Sequence, residues 1–192
     1  MDKKIFILPG FKQKATDPEF AWIEPFFQKK GFSVVPVPIR WNYRTITDNV
    51  AEFKDFYEKN KSKNNYALGF SYGAIIAFIS ANNLGLKKLY LCSLSPDFKE
   101  DLAGMKPWIL KYIGKKRVED MKKRSGRDIA KKLSVPTLIF YGEKEGKEFF
   151  NLKKRCEETA NLAKRARLII VKGAPHDISY PGYIETIKKE FQ

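Results

Sequence analysis

The chain has 192 residues, 43% of them hydrophobic, a length that fits one domain with a substantial buried core. Its 37 Lys and Arg against 22 Asp and Glu give a formal charge of +15, and no apolar stretch approaches the roughly 18 residues that a membrane span needs. Two distant cysteines, Cys92 and Cys156, and one histidine, His176, make neither a disulfide framework nor a ligand cluster, so no metal or other cofactor is expected.

Met1-Asp2-Lys3-Lys4 runs straight into a short apolar segment and lacks the long apolar region of a secretory signal, which sets a cytoplasmic address as the expectation. The first strand is expected over 4–8. Asp17-Pro18 opens a helix over 18–30, with proline at the first helical position; Pro25 requires that helix to begin later or to kink. A strand over 33–37 and a helix over 46–60 follow. The next strand, 65–70, runs directly into a helix over 72–84 that contains no proline. A fourth strand over 87–93 leads into a broken helical stretch over 100–132. A strand over 136–141, a helix over 147–164, a strand over 167–171 and a last helix over 181–190 complete the chain. The first four strands carry few charges, as expected where helices cover both faces of a parallel sheet. The alternation predicts an α/β protein, a three-layer α/β/α sandwich around a mostly parallel six-stranded sheet. Functional loops are expected at the carboxyl ends of the strands.

Gly69-Phe70-Ser71-Tyr72-Gly73 joins the third strand to its helix, and G-x-S-x-G in that position is the sequence form of a nucleophile elbow. The turn is too tight for side chains at the flanking glycines, and the central serine projects its hydroxyl outward. Free N–H groups of the following helix favour negative charge at the same place. Any general base of the serine–histidine type has to be His176, which lies in a Gly/Pro loop after the apolar run Leu168 to Val171. Ser71 and His176 are therefore the candidate nucleophile and base.

Four landmarks in order resemble the α/β-hydrolase superfamily: Lys4 to Phe11, Gly69 to Gly73, Pro136 to Glu145, and Gly173 to Asp177. The likeness covers essentially the whole chain. Pro9 stands where the family's first loop often has histidine, and the family's opening pair of strands is expected to be missing. The resemblance implies a serine hydrolase cleaving small carboxylic esters or thioesters through an acyl-enzyme on Ser71. It places the oxyanion at the backbone N–H groups of Tyr72 and Phe11. It puts the acid of the triad at Glu145, three residues past Gly142; Asp97, in Ser95-Pro96-Asp97 after the fourth strand, is the second choice.

Between residues 99 and 132 there are twelve Lys/Arg and five Asp/Glu, a net charge of +7 where the family inserts caps. Trp108, Ile109, Tyr112 and Ile113 share one helical face in this segment. Two readings stay open for 97–134: a basic cap whose apolar side covers the site, or a lysine-rich helix packed on the body with solvated charges. A small-molecule acyl ester is the expected partner, and with no recognisable nucleic-acid motif no nucleic acid is expected. The alternatives are a catalytically inactive hydrolase-fold protein, or a basic surface for nucleic acid or other anionic partners.

Overall fold

In β1 (Lys3–Leu8), Phe6 and Leu8 enter one apolar core and Ile5 and Ile7 the other, and all four are at most 1% exposed. Such alternation requires a sheet covered on both faces. The computed structural model, which describes residues 2–147, 149 and 151–191, has that arrangement. Five further strands follow: β2 (Ser33–Pro36), β3 (Asn64–Phe70), β4 (Lys88–Cys92), β5 (Thr137–Gly142) and β6 (Ala166–Val171). They form one sheet in the order β2-β1-β3-β4-β5-β6, and all five pairings are parallel. The expected six strands are thus present, and the sheet is wholly rather than mostly parallel.

Helices α1 (Ile23–Lys29) and α8 (Pro181–Glu190) supply Ile23, Phe27, Tyr183 and Ile187 to the core that holds Ile5 and Ile7. The opposite core takes Val50, Phe53 and Tyr57 of α2 (Ile46–Asn60), nearly all of α3 (Tyr72–Ser80), and Leu152 and Cys156 of α7 (Leu152–Leu162). The start of α2 is written locally. Thr45 accepts from the Asp48 N–H at 3.3 Å, and Asp48 accepts from the Thr45 N–H at 2.8 Å, a reciprocal capping box.

Three helix expectations are modified. The segment over 18–30 divides into a single 3-10 turn at Pro18–Phe20 and then α1. Pro25 falls in the first turn of α1, where a missing N–H leaves no intrahelical bond unmade. The stretch 100–132 becomes α4 (Pro107–Ile113), α5 (Lys115–Met121) and α6 (Gly126–Lys132), preceded by a 3-10 turn at Leu102–Gly104. Gly114, at φ 89°, separates α4 from α5. The helix expected over 147–164 begins at Leu152; residues 148 and 150 within that range lie outside the described residues.

The segment that leaves β4 is fastened to the body by one buried ion pair and by one buried carboxylate that accepts from the body's backbone. Arg155 of α7, with a side chain 1% exposed, reaches Asp101 twice, Nη2 to Oδ1 at 2.7 Å and Nε to Oδ2 at 3.2 Å, and its guanidinium lies 5.1 Å from the Phe98 ring centre. Asp120 of α5 accepts from the Thr47 N–H at 3.0 Å and from Arg124 Nη1 at 2.8 Å, tying α5 to the start of α2. Arg155→Ala leaves Asp101 desolvated without its counter-ion and is expected to lower stability by about 3–5 kcal/mol. Arg155→Met combined with Asp101→Leu should recover most of that loss. Urea unfolding followed by circular dichroism measures both; equal midpoints for wild type and Arg155→Ala would show that the pair contributes nothing.

Candidate active site

Strand order decides where side chains from distant parts of the chain can meet. After β1 the chain goes to one side to make β2, then returns to the other side of β1 to make β3. The loops leaving β1 and β3 therefore diverge, and a crevice opens between them at the carboxyl edge of the sheet. Phe11 lies in the first of these loops and Ser71 at the end of the second. Ser95 and Asp97 follow β4, Glu145 follows β5, and His176 follows β6.

Ser71 has φ 54° and ψ −116°, a backbone conformation rarely tolerated by a residue with a Cβ. The glycines on either side make room for it. A Cβ on Gly69 would lie 2.5 Å from the Gly73 carbonyl oxygen, and one on Gly73 would overlap the carbonyl oxygens of Leu8 and Pro9. Gly73 thereby lets the end of β1 close against the elbow. The Ser71 N–H donates to the Cys92 carbonyl at 2.8 Å, which pins the turn to β4.

The structure brings His176 to Ser71, with Nε2 3.0 Å from Oγ. The His176 ring packs on Phe70 and Phe149, with centroids 4.9 and 4.3 Å away. Its Nδ1 lies 3.7 Å from Oε1 of Glu145, whose side chain is fully buried. Nδ1 and the second carboxylate oxygen, Oε2, are both buried without a hydrogen-bond partner among the described residues. Oε1 is held firmly: Ser93 Oγ donates to it at 2.5 Å, and the Tyr183 hydroxyl lies 3.3 Å from it and 2.7 Å from Ser93 Oγ. Burial and the neighbouring Glu145 carboxylate raise the Tyr183 pKa well above its ordinary value, so the phenol remains a hydrogen-bond donor.

Asp97 does not join this array. It is half-buried in the wall of the cleft, and among the described residues its carboxyl makes no hydrogen bond. Desolvation, with the Asp101 carboxylate nearby, pushes its pKa up to about 7. Of the two acids weighed from sequence, Glu145 is the one that approaches the histidine.

Sequence reasoning passed over three nearby hydroxyls. Ser93, at φ 56°, and Tyr183 hold Glu145, and Ser95 Oγ lies 3.2 Å from Ser71 Oγ. Ser93 and Ser95 carried one signal, their place just beyond a strand end; Tyr183 carried none, since its partners lie 38 and 90 residues away.

A cleft of about 680 Å³ opens over Ser71. Phe11, Tyr72 and Pro96 line it on the side of the sheet, and Met105, Trp108, Ile109, Tyr112 and Ile113 on the other, with Arg117 and Met121 of α5. The four residues expected on one face of α4 thus all face the cleft. Lys115 and Lys116 are exposed and outside its lining. Cys92 and Cys156 are buried free thiols whose pKa values burial raises. Among the described residues no group of His, Cys, Asp and Glu side chains could hold a metal ion, and no helix is long and apolar enough to cross a membrane.

A wholly parallel sheet with a strained serine turn after β3, an acid after β5 and a histidine after β6 defines a class of architecture. No protein-family model matches the chain, and no curated protein sequence matches it. Solved structures do. Est1E from Butyrivibrio proteoclasticus with ferulic acid bound superposes with a TM-score of 0.79 at 14% identity, over 98% of this chain and 86% of that one. Alpha/beta hydrolase domain-containing protein 10 from mouse gives 0.79 at 12% identity, over 98% and 87%. The esterase EaEST from Exiguobacterium antarcticum gives 0.73 at 16% identity, over 98% and 90%. The chain has the α/β-hydrolase fold, and its structural neighbours are esterases and hydrolases.

Proposed function

We propose that the protein is a serine hydrolase that cleaves small carboxylic esters or thioesters through an acyl-enzyme on Ser71. The observation that carries this reading is the 3.0 Å approach of His176 Nε2 to the Ser71 hydroxyl at the mouth of an apolar cleft. As Ser71 Oγ attacks the carbonyl carbon, its proton passes to Nε2. The imidazolium then carries a proton on Nδ1, and the buried Glu145 carboxylate stabilises it. Nδ1 has no hydrogen-bond partner among the described residues, and a small closure of the 3.7 Å gap to Oε1 would pair it with the carboxylate. Collapse of the tetrahedral intermediate breaks the ester bond, and His176 returns its proton to the departing oxygen or sulfur. Water then enters, gives a proton to His176 and attacks the acyl carbon, releasing the carboxylic acid and regenerating Ser71.

The oxyanion is assigned to the backbone N–H groups of Tyr72 and Phe11. Tyr72 is the first residue of α3, where an N–H has no intrahelical acceptor. Among the described residues, Phe11 N–H makes no backbone hydrogen bond. Donors fixed before charge develops require no reorganisation during the reaction. The segment over about 97–134 serves as the cap of a single hydrolase domain, its apolar side turned to the acyl chain.

A fluorophosphonate probe reacts with an activated serine and leaves an ordinary one untouched. Wild-type protein is expected to be labelled at one site, and mass spectrometry of the digest should place the adduct on the peptide that contains Ser71. Labelling spread over several serines, or none at all, would remove the reading.

A further inference from the structure

Arg117 is a cation fixed in the wall of the cleft, and among the described residues no anion pairs with it. Its Nε donates to the Arg44 carbonyl at 2.9 Å and its Nη2 to the Trp41 carbonyl at 2.7 Å. Its guanidinium carbon lies 4.9 Å from the centre of the Phe11 ring. Among the described residues no carboxylate lies within ion-pair distance of it; Asp97, in the same cleft, does not reach it. Other arginines in this part of the molecule have carboxylate partners: Arg40 and Arg44 share Glu52, Arg124 pairs with Asp120 and Arg155 with Asp101.

Two carbonyls and an aromatic face therefore lock the orientation of a guanidinium whose remaining N–H groups have no partner among the described residues. A planar fork of this kind matches a carboxylate through two parallel hydrogen bonds. Lys12 stands by the same ring, its Nζ 5.4 Å from the Phe11 centre and 5.9 Å from that of Tyr112, and adds to the positive potential at the cleft mouth. Phe11, Tyr72, Ile113 and Met121 supply apolar surface to the cleft that holds Ser71 and Arg117, and Ser95 and Asp97 line it as well.

We infer that Arg117 forms a carboxylate subsite, and that the cleft takes esters whose acyl chain ends in a carboxylate. The inference rests on the hydrolase reading for the word ester, and on the geometry of Arg117 alone for the subsite. In such a complex the apolar chain lies along Phe11 and Ile113, the reacting carbonyl sits over Ser71, and the terminal carboxylate accepts from the guanidinium. A neutral chain of equal length would fill the same space and leave Arg117 unpaired in a partly desolvated wall.

The test compares the p-nitrophenyl monoester of suberic acid with p-nitrophenyl octanoate, which differ only at the far end of the acyl chain. The quantity read is the ratio of their specificity constants, which is insensitive to partial loss of folded protein. Arg117→Gln is expected to lower the anionic-to-neutral ratio about tenfold or more, through KM for the anionic ester. Arg117→Lys, which keeps the charge and loses the fork, should fall between. Lys115→Gln, on the exposed side of α5, should leave the ratio in place. A ratio unchanged in Arg117→Gln, or lowered equally in Lys115→Gln, would overturn the subsite. Calorimetric titration of the intact anionic ester into Ser71→Ala and into Ser71→Ala/Arg117→Gln reads binding without turnover. Tighter binding to the first protein sustains the subsite even if wild type hydrolyses neither ester, an outcome that would overturn the hydrolase reading instead; equal affinities would overturn the subsite whatever the activity.

Discussion

Ser71→Ala is expected to lower turnover of p-nitrophenyl acetate by on the order of 10⁵-fold or more, the scale on which serine hydrolases lose activity with their nucleophile. The size follows from the chemistry: without Oγ there is no acyl-enzyme, and only oriented binding and the N–H donors remain. The substitution removes one oxygen at a half-buried position, so the unfolding midpoint should stay close to that of wild type. The measurement is initial rate against enzyme concentration, with circular dichroism on the same samples. A variant that still turns the ester over at near wild-type rate, with His176→Ala equally active, would place the reaction elsewhere.

The second large effect concerns Glu145. Glu145→Gln should reduce kcat by roughly 10⁴-fold, because a neutral amide neither fixes the histidine tautomer nor stabilises the imidazolium. Glu145 is fully buried, and its Oε1, held by Ser93 and Tyr183, is the oxygen that lies 3.7 Å from the ring nitrogen. Asp97→Asn is the comparison: it lines the cleft, has no contact with His176, and should cost far less. If Asp97→Asn were the damaging change and Glu145→Gln nearly silent, the acid would belong to the loop after β4.

The sheet was legible because its strands are short, apolar and punctuated. Thr137–Gly142 is buried at every position, as fits a central strand covered on both faces. The elbow was legible for a steric reason, since Gly69 and Gly73 stand where a Cβ would strike backbone. His176 was legible through scarcity. The choice between Glu145 and Asp97 was not, because both sit just past strand ends and the sequence does not say which loop turns toward β6. Arg117 was hidden for a similar reason. It stands beside Lys115 and Lys116 in a run of three cations, and only the turn of α5 against the loop of Trp41 and Arg44 selects one of them for the cleft. The break between α4 and α5 could be placed once Gly114 was seen to adopt φ 89°, a conformation that periodicity does not report.

The Ser71–His176 contact joins residues 105 positions apart, and the contact between Ser93 and Tyr183 joins residues 90 apart. Closing the large loops between such residues costs conformational entropy. Tyr183 belongs to α8, the last helix of the chain. In chain order the serine turn at Gly69 to Gly73 precedes both His176 and Tyr183, the proposed base and the residue that holds the proposed acid. On the hydrolase reading proposed above, the acid is therefore fully seated only when the final helix has docked.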